Sequence, residues 1–311
     1  MHVQKERWYT MKNFKIIIQY EGARFQGWQR QTSTDNTIQG KIEAILSKMC
    51  NVPVEINGAG RTDSGVHAEG QVANFKINTD KTPEEIMNYL NMYLPEDVAV
   101  ISITEVDDRF HARLNAKGKH YRYRLRTTAT PDVFSRKYVH VQETALDVEA
   151  MKAAAKKLSG KHDFKAFTSN HRTKKSTVRT IDIKIKETDD EIILDYTGDG
   201  FLYHMVRILT GTLIEVGEGK RTPESMEDIL RPENGPTQVH WFLPRASHWW
   251  KYIIKIVSGV NKHIQQTGTG EPPVLGFCIL EPYVPLRVTH SESVPVLKCL
   301  FTPHLSIIDI T

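Results

Sequence analysis

Long apolar runs are missing from this chain. No stretch approaches the roughly 18 residues that a membrane-crossing helix needs, so no helical span is expected. Cysteine is scarce: Cys50, Cys278 and Cys299 are odd in number, far apart and in no CxxC or Cys/His pattern, which argues against a disulfide framework and a zinc site. That usage fits a reducing, cytoplasmic setting. His111, His120, His140 and His204 fall at no metal-ligand spacing, and no metal is expected. Residues 1–10 lack an apolar core followed by small residues, so they do not read as a secretory signal. Residues 1–11 are taken as an N-terminal extension, with Met11 a candidate start. A large charge imbalance is missing too. The formal net charge of +4 is too small to announce a nucleic-acid partner, so the question becomes where the basic residues concentrate.

What is present is an ordinary globular composition: 311 residues, 40% hydrophobic and 25% charged, enough for one extended α/β unit or two smaller domains. Residues 14–20 form an apolar, β-branched run that reads as a strand and feeds the Gly- and Gln-rich segment 21–31. Ile38, Ile42, Ile45, Leu46 and Met49 then repeat at helical intervals, after a polar cluster, Thr34-Asp35-Asn36-Thr37, able to supply an N-cap. Strands are predicted at 54–57 and 71–77, flanking a loop over 58–70. Then come a helix over 83–92 with Pro83 in its first turn and strands at 98–106 and 120–126. The theme repeats, with Val148, Met151, Ala155 and Leu158 marking a helix that Gly160 can end, and strands at 178–186 and 192–196 joined around Asp189-Asp190. Apolar spacing predicts further helices over 201–216 and 223–230. Two similar halves therefore meet near residues 107–118, and the fold class is α+β with mostly antiparallel sheet.

Three groups of residues can carry chemistry. Asp63 lies among Gly58, Gly60 and Gly65, which permit unusual backbone angles and the close approach of a bulky ligand, and Arg61 offers a charged partner. Such a loop can present a nucleophile or base; it is equally a pattern for a surface turn in which Asp63 bonds its own backbone. Second, Arg109, Arg113, Lys117, Lys119, Arg122, Arg124 and Arg126 surround Tyr121 and Tyr123. Strand alternation puts the tyrosines on one face and Arg122 and Arg124 on the other. Aromatic stacking with phosphate neutralisation suits flexible RNA, and a half-buried strand with a solvated basic face has the same sequence. His171, Arg172, Lys174, Lys175 and Arg179 add basic character or form a solvated loop. Third, Arg207 in Tyr203-His204-Met205-Val206-Arg207 opens an otherwise apolar helix, where burial requires an anionic partner unless the side chain snorkels.

In order along the chain, these segments resemble the TruA-type tRNA pseudouridine synthase family. The most diagnostic stretch is Gly58-Ala59-Gly60-Arg61-Thr62-Asp63-Ser64-Gly65-Val66-His67-Ala68-Glu69-Gly70-Gln71. Tyr20-Glu21-Gly22, Phe25-Gln26-Gly27-Trp28-Gln29, Phe110-His111-Ala112-Arg113, Lys119-His120-Tyr121-Arg122-Tyr123, residues 164–167 and His204-Met205-Val206-Arg207 stand around it. The resemblance implies isomerisation of uridine to pseudouridine at positions 38, 39 and 40 in the tRNA anticodon arm, without metal or organic cofactor. It places the catalytic aspartate at Asp63, the tyrosine that packs on the target base at Tyr121 and the active-site arginine at Arg207. Arg61 and Arg179 are further candidates for carboxylate or phosphate contacts. It further implies two similar halves, 12–115 and 116–235, forming a central mostly antiparallel sheet flanked by helices with a catalytic cleft between them. It also implies homodimers that hold the tRNA across both subunits.

The pattern departs from the family after Arg231-Pro232-Glu233-Asn234-Gly235, where an Ala/Pro-rich stretch ending in Gly-Leu and a final apolar strand are expected. Residues 236–311 instead hold four of the 37 acidic residues, eight of the 14 prolines and three of the five tryptophans. This tail is read as a translation of a shifted frame, the alternative being an appended domain; a strand at 253–257 is the one element expected in it. An active synthase, a tRNA-binding relative impaired by its altered end, and an unrelated Asp-dependent hydrolase are the competing functions. The hydrolase would need a second carboxylate, a His partner or a metal site beside Asp63, and no spacing supplies one.

Overall fold

A computed structural model describes residues 11–128, 132–170, 172, 175–231 and the backbone of 252–258. The first half runs β1 (Met11–Tyr20), a single helical turn (Gly22–Arg24), α1 (Ile38–Cys50), β2 (Ile56–Gly58), β3 (His67–Asn78), α2 (Pro83–Tyr93) and β4 (Val98–Val106). Alternation along β1 buries Phe14, Ile16, Ile18 and Tyr20. Thr37 caps α1 by accepting from the Gly40 N–H, and Ile38, Ile42 and Leu46 form its buried stripe. In α2, Thr82 and Glu85 form a reciprocal capping box with Pro83 in the first turn, and Ile86 and Leu90 face the core.

The second half runs β5 (Ala116–Arg126), β6 (His140–Val141), α3 (Val148–Leu158), β7 (Gly160–Asp163), a helical turn (Lys165–Phe167), β8 (Val178–Glu187), β9 (Glu191–Gly198), α4 (Met205–Gly217), α5 (Ser225–Leu230) and β10 (Tyr252–Ser258). Strand order is β4-β1-β3-β10-β5-β9-β8-β7, with β2 beside β3 and β6 beside β5. Each half follows one βαββαβ plan. In the first, β4, β1, β3 and β2 lie in that order; in the second, β10, β5, β9 and β8 do, and all neighbours within these sets are antiparallel. The halves join where β10 runs parallel to β3. One core packs α1 and α2 against β1, β3 and β4; the other packs α3, α4 and α5 against β5, β8 and β9 around Tyr123, Phe164, Phe167 and Tyr196.

The element boundaries differ from the sequence reading in two informative places. β3 begins at His67 instead of residue 71, and β5 begins at Ala116 instead of residue 120. Both extra segments pair with β10, whose register sets Ile253 opposite His67 and Arg122, and Ile254 opposite Ala68 and Tyr121. A partner so distant in sequence leaves no local hydrophobic signal. The strand expected at 253–257 does form, and it lies at the centre of the sheet; the remainder of the 236–311 expectation lies outside the described residues, as do residues 1–10.

A central strand bonds through its backbone on both sides, so losing one N–H leaves a neighbouring acceptor unsatisfied. Ile254→Pro is therefore expected to lower unfolding free energy by about 1–3 kcal/mol, measured by urea denaturation.

Candidate active site

Asp63 is held by a loop that another loop supports from beneath. The Trp28 N–H donates to the Thr62 carbonyl at 3.0 Å, Ser64 Oγ donates to the Phe25 carbonyl at 3.0 Å, and the Gln71 side-chain amide donates to the Gly60 carbonyl at 2.6 Å. Tyr20 Oη and Thr62 Oγ1 share a hydrogen bond at 3.0 Å. Two glycines make this fit possible. Gly27 adopts φ +90°, and a Cβ there would sit 2.6 Å from the Thr62 carbonyl oxygen; at Gly58 it would fall 2.6 Å from the Trp28 ring. The Gly- and Gln-rich segment after β1 is thus the floor on which the Asp63 loop rests. His67 also belongs to this scaffold: its Nδ1 accepts from the Gly22 N–H at 3.1 Å and its Nε2 lies 3.0 Å from the Lys137 carbonyl.

The second half supplies the partners of the carboxylate. Helix α4 starts at Met205, four residues later than its apolar spacing predicts, because His204 before it takes the left-handed conformation at φ 60°. Residues 201–204 before it line the cavity beside Asp63. Arg207, in the first turn of α4, places its NH2 nitrogen 3.1 Å from Asp63 Oδ2, so the buried guanidinium has an anionic partner. His204 Nε2 is 3.7 Å from the same oxygen, beyond hydrogen-bond range, while its Nδ1 shares a 2.9 Å hydrogen bond with Ser169 Oγ and its ring stacks on Tyr203 at 3.7 Å. Burial pushes the His204 imidazole below its ordinary pKa, Arg207 pushes the same way, and Asp63 pulls against them.

These groups line a cavity of about 450 Å³ that also takes in Arg61, Arg113, Lys119, Tyr121, Lys175, Arg179 and Phe201. Tyr121 is buried with its ring edge-on to Phe201, centroids 4.8 Å apart, and forms an aromatic wall. Asp63, Tyr121 and Arg207, drawn from three distant segments, therefore converge. Arg61 is exposed at the rim, and the guanidinium paired with Asp63 is that of Arg207. Arg179 donates to the Ser176 and Val178 carbonyls and faces the cavity. Burial pushes the Lys119 ammonium below its usual range, and Arg113 and Arg179 push it the same way. Such a cationic group is suited to an anion. Sequence reasoning grouped Lys119 with its basic neighbours and gave His204 no role, since neither the left-handed backbone nor Ser169 leaves a pattern at this spacing. Among the described residues no group of three or more His, Cys, Asp or Glu side chains is placed to hold a metal ion. No helix among them is long and apolar enough to cross a membrane.

A family model described as tRNA pseudouridine synthase matches residues 16–115 and 154–247. The second segment extends past Gly235, where the motif resemblance was read to stop. The chain is 47% identical over 225 residues to tRNA pseudouridine synthase A of Bacillus sp. (strain KSM-64), covering 72% of this chain and 92% of that protein. It is 44% identical over 221 residues to tRNA pseudouridine synthase A 2 of Clostridium perfringens (strain 13 / Type A), covering 71% and 90%.

The opposite face of β5 is built differently. As alternation predicts, Arg122 and Arg124 point away from Tyr121 and Tyr123, but they are engaged within the chain. Arg122 grips Asp195 through two hydrogen bonds of 2.8 and 3.1 Å, His120 Nε2 lies 2.8 Å from the same carboxylate, and Arg124 grips Glu191 at 2.7 and 2.8 Å. These arginines tie β5 to β9.

Burial alone would raise the Asp195 pKa, but the hydrogen bonds from His120 and Arg122 outweigh it and hold the carboxyl at about 2. A depressed folded-state pKa contributes stability above the unfolded value and loses it as pH falls through the folded one. Asp195→Asn is thus expected to lower stability at pH 7 by about 2 kcal/mol. In urea titrations the difference from the unsubstituted chain should narrow steadily as pH is lowered from about 4 toward about 2.

Proposed function

We propose, from the premise that this chain belongs to the tRNA pseudouridine synthase family, that Asp63 is its catalytic carboxylate and that the cavity beside it receives a uridine displaced from its stack. The observation that carries this reading is the Asp63–Arg207 pair at 3.1 Å, set in a cavity walled by Tyr121. Isomerisation breaks the N1–C1′ glycosidic bond, turns the base and rejoins it through C5, with no atoms gained or lost. Asp63 serves as nucleophile at the ribose C1′ or as base toward C2′, and Arg207, 3.1 Å away, holds the carboxylate in place. Tyr121 offers the extruded base an aromatic surface that offsets part of the few kcal/mol lost on unstacking. Lys119 and Arg179 are assigned to the phosphates flanking the target nucleotide, and Arg61, exposed at the rim, to an outer phosphate contact.

The finer assignments rest on the sequence resemblance. We place the target uridines at positions 38, 39 and 40 of the anticodon arm, the enzyme in the cytoplasm and its working form as a homodimer, with catalytic halves 12–115 and 116–235. We keep the reading of 236–311 as a shifted frame, against which stand the family match to residue 247 and the seating of β10 between β3 and β5. Translating the other two frames of the gene beyond codon 235 tests it, and an Ala/Pro-rich segment ending in Gly-Leu in neither frame would overturn it.

Pseudouridine mapping in tRNA after incubation with the purified chain tests the activity. The unsubstituted protein should convert anticodon-arm uridines, whereas Asp63→Ala should yield no product while tRNA affinity changes by less than about tenfold, or 1.4 kcal/mol. Tight, salt-sensitive tRNA binding without product from the unsubstituted chain would establish a binding relative instead. Lys119→Ala should weaken tRNA binding and reduce the slope of log affinity against log salt by about 0.7, the share of one single-stranded phosphate.

A further inference from the structure

The reaction has a second half, the loss of the proton from C5. Once C5 has bonded to C1′, C5 carries both the ribose and its original hydrogen, and C6 is doubly bonded to N1. The C5–H bond must then break. Its electron pair forms C5=C6, the C6=N1 π pair moves to N1, and N1 takes up a proton, so charge and atoms balance. Both routes open to Asp63 pass through this step, which requires a proton acceptor beside the base after it has turned.

We propose that His204 is that acceptor, taking the C5 proton on Nε2 and passing it to water; this rests on the pseudouridine synthase reading of the site. Geometry carries the assignment. His204 lines the cavity, and its Nε2 is 3.7 Å from the carboxylate oxygen that Arg207 holds, close to where C1′ must sit. At that separation Nε2 makes no hydrogen bond to Asp63. Nδ1 is the nitrogen engaged elsewhere, 2.9 Å from Ser169 Oγ. In the tautomer where Nδ1–H donates to that oxygen, Nε2 presents its lone pair to the cavity. The ring is fixed as well as placed: it stacks on Tyr203 and stands on a left-handed residue at φ 60°, an unfavourable conformation for histidine, and such strain clusters at functional positions. The burial that favours the neutral ring keeps it competent to accept a proton. The charged groups beside it are Asp63 and Arg207. Asp63 leaves the ribose when C5 bonds to C1′, so the imidazole, that carboxylate and the Tyr121 hydroxyl are the candidate acceptors among the cavity residues.

The test is single-turnover conversion of tRNA carrying protium or deuterium at uridine C5. His204→Asn is the informative variant, because asparagine tolerates the left-handed backbone yet cannot act as a base at neutral pH. Conversion by the unsubstituted enzyme comes first, and its absence would overturn the functional reading itself. Given that activity, His204→Asn should bind tRNA normally and lose about 10²–10⁴-fold in rate. The residual reaction should show a primary deuterium isotope effect larger than that of the unsubstituted enzyme, because C5–H cleavage has become limiting. Added imidazole should restore rate to His204→Gly, a residue that also accepts positive φ. An unchanged rate in His204→Asn, or a slowed rate without an increased isotope effect, would overturn the assignment. So would an increased isotope effect in Tyr121→Phe but not in His204→Asn, which would move the acceptor to the tyrosine.

Discussion

The contact between Asp63 and Arg207 organises this molecule, because its two ends belong to different halves of the sheet. Asp63 stands on the loop before β3 in the first half, and Arg207 on the first turn of α4 in the second. At 3.1 Å and an effective dielectric of about 20, the gross attraction is on the order of 5 kcal/mol, and desolvation of two largely buried ions offsets much of it. The pair therefore contributes more to register than to stability. It fixes how the loop and the helix face each other, while Lys119 and Tyr121 are placed by β5 and Arg179 by β8. The positive end of α4 acts in the same direction.

That alignment demands a firm floor. A carboxylate on a free loop would satisfy itself from its own backbone, the ordinary fate of an aspartate among glycines. Here the donor such a turn would use, the Gly65 N–H, is given to the Phe25 carbonyl at 3.3 Å, and the loop is tied to its floor through Thr62, Gly60 and Ser64. Gly27 and Gly58 let the two loops approach more closely than any side chain would allow. The two glycine-rich motifs are thus one structural unit split in sequence by α1, which is why finding them together says more than either does alone.

How much of this was legible in the sequence follows from the range of the forces involved. Helices with a cap and an apolar stripe, such as α1 and α2, are local objects and were readable to within a few residues. The alternation that faces Tyr121 and Tyr123 inward and Arg122 and Arg124 outward was readable for the same reason. The starts of β3 and β5 were not, because β10 extends them from far along the chain. Of the cavity, the ordered motifs marked Asp63, Tyr121 and Arg207. The choice of Arg207 over Arg61 as the ion-pair partner depends on where α4 begins, and that depends on one left-handed residue, His204, whose sequence looks like ordinary helix. Arg122 and Arg124 illustrate the converse: a basic strand suggests a polyanion, but the acids that engage them stand on β9 and become neighbours only through strand pairing.

The distribution of charge explains how a carboxylate and a polyanionic ligand can share one cleft. An isolated Asp63 would repel an incoming phosphodiester. Arg207 cancels that charge locally while leaving the carboxylate able to react, and the helix N-terminus behind it adds further positive potential. Lys119, Arg113 and Arg179 form a separate cationic cluster, and with Arg61 at the rim they give the cleft an excess of positive charge. Burial and mutual repulsion hold the Lys119 ammonium below its usual range, an energetic cost of building the cluster in the absence of ligand. An anion seated there would remove the repulsion, which under the proposed function places binding energy at the phosphates flanking the target nucleotide. Under the proposed function, interactions remote from the reacting bond would offset the cost of turning a base out of its stack, with Asp63, Arg207 and Tyr121 acting on the nucleotide itself.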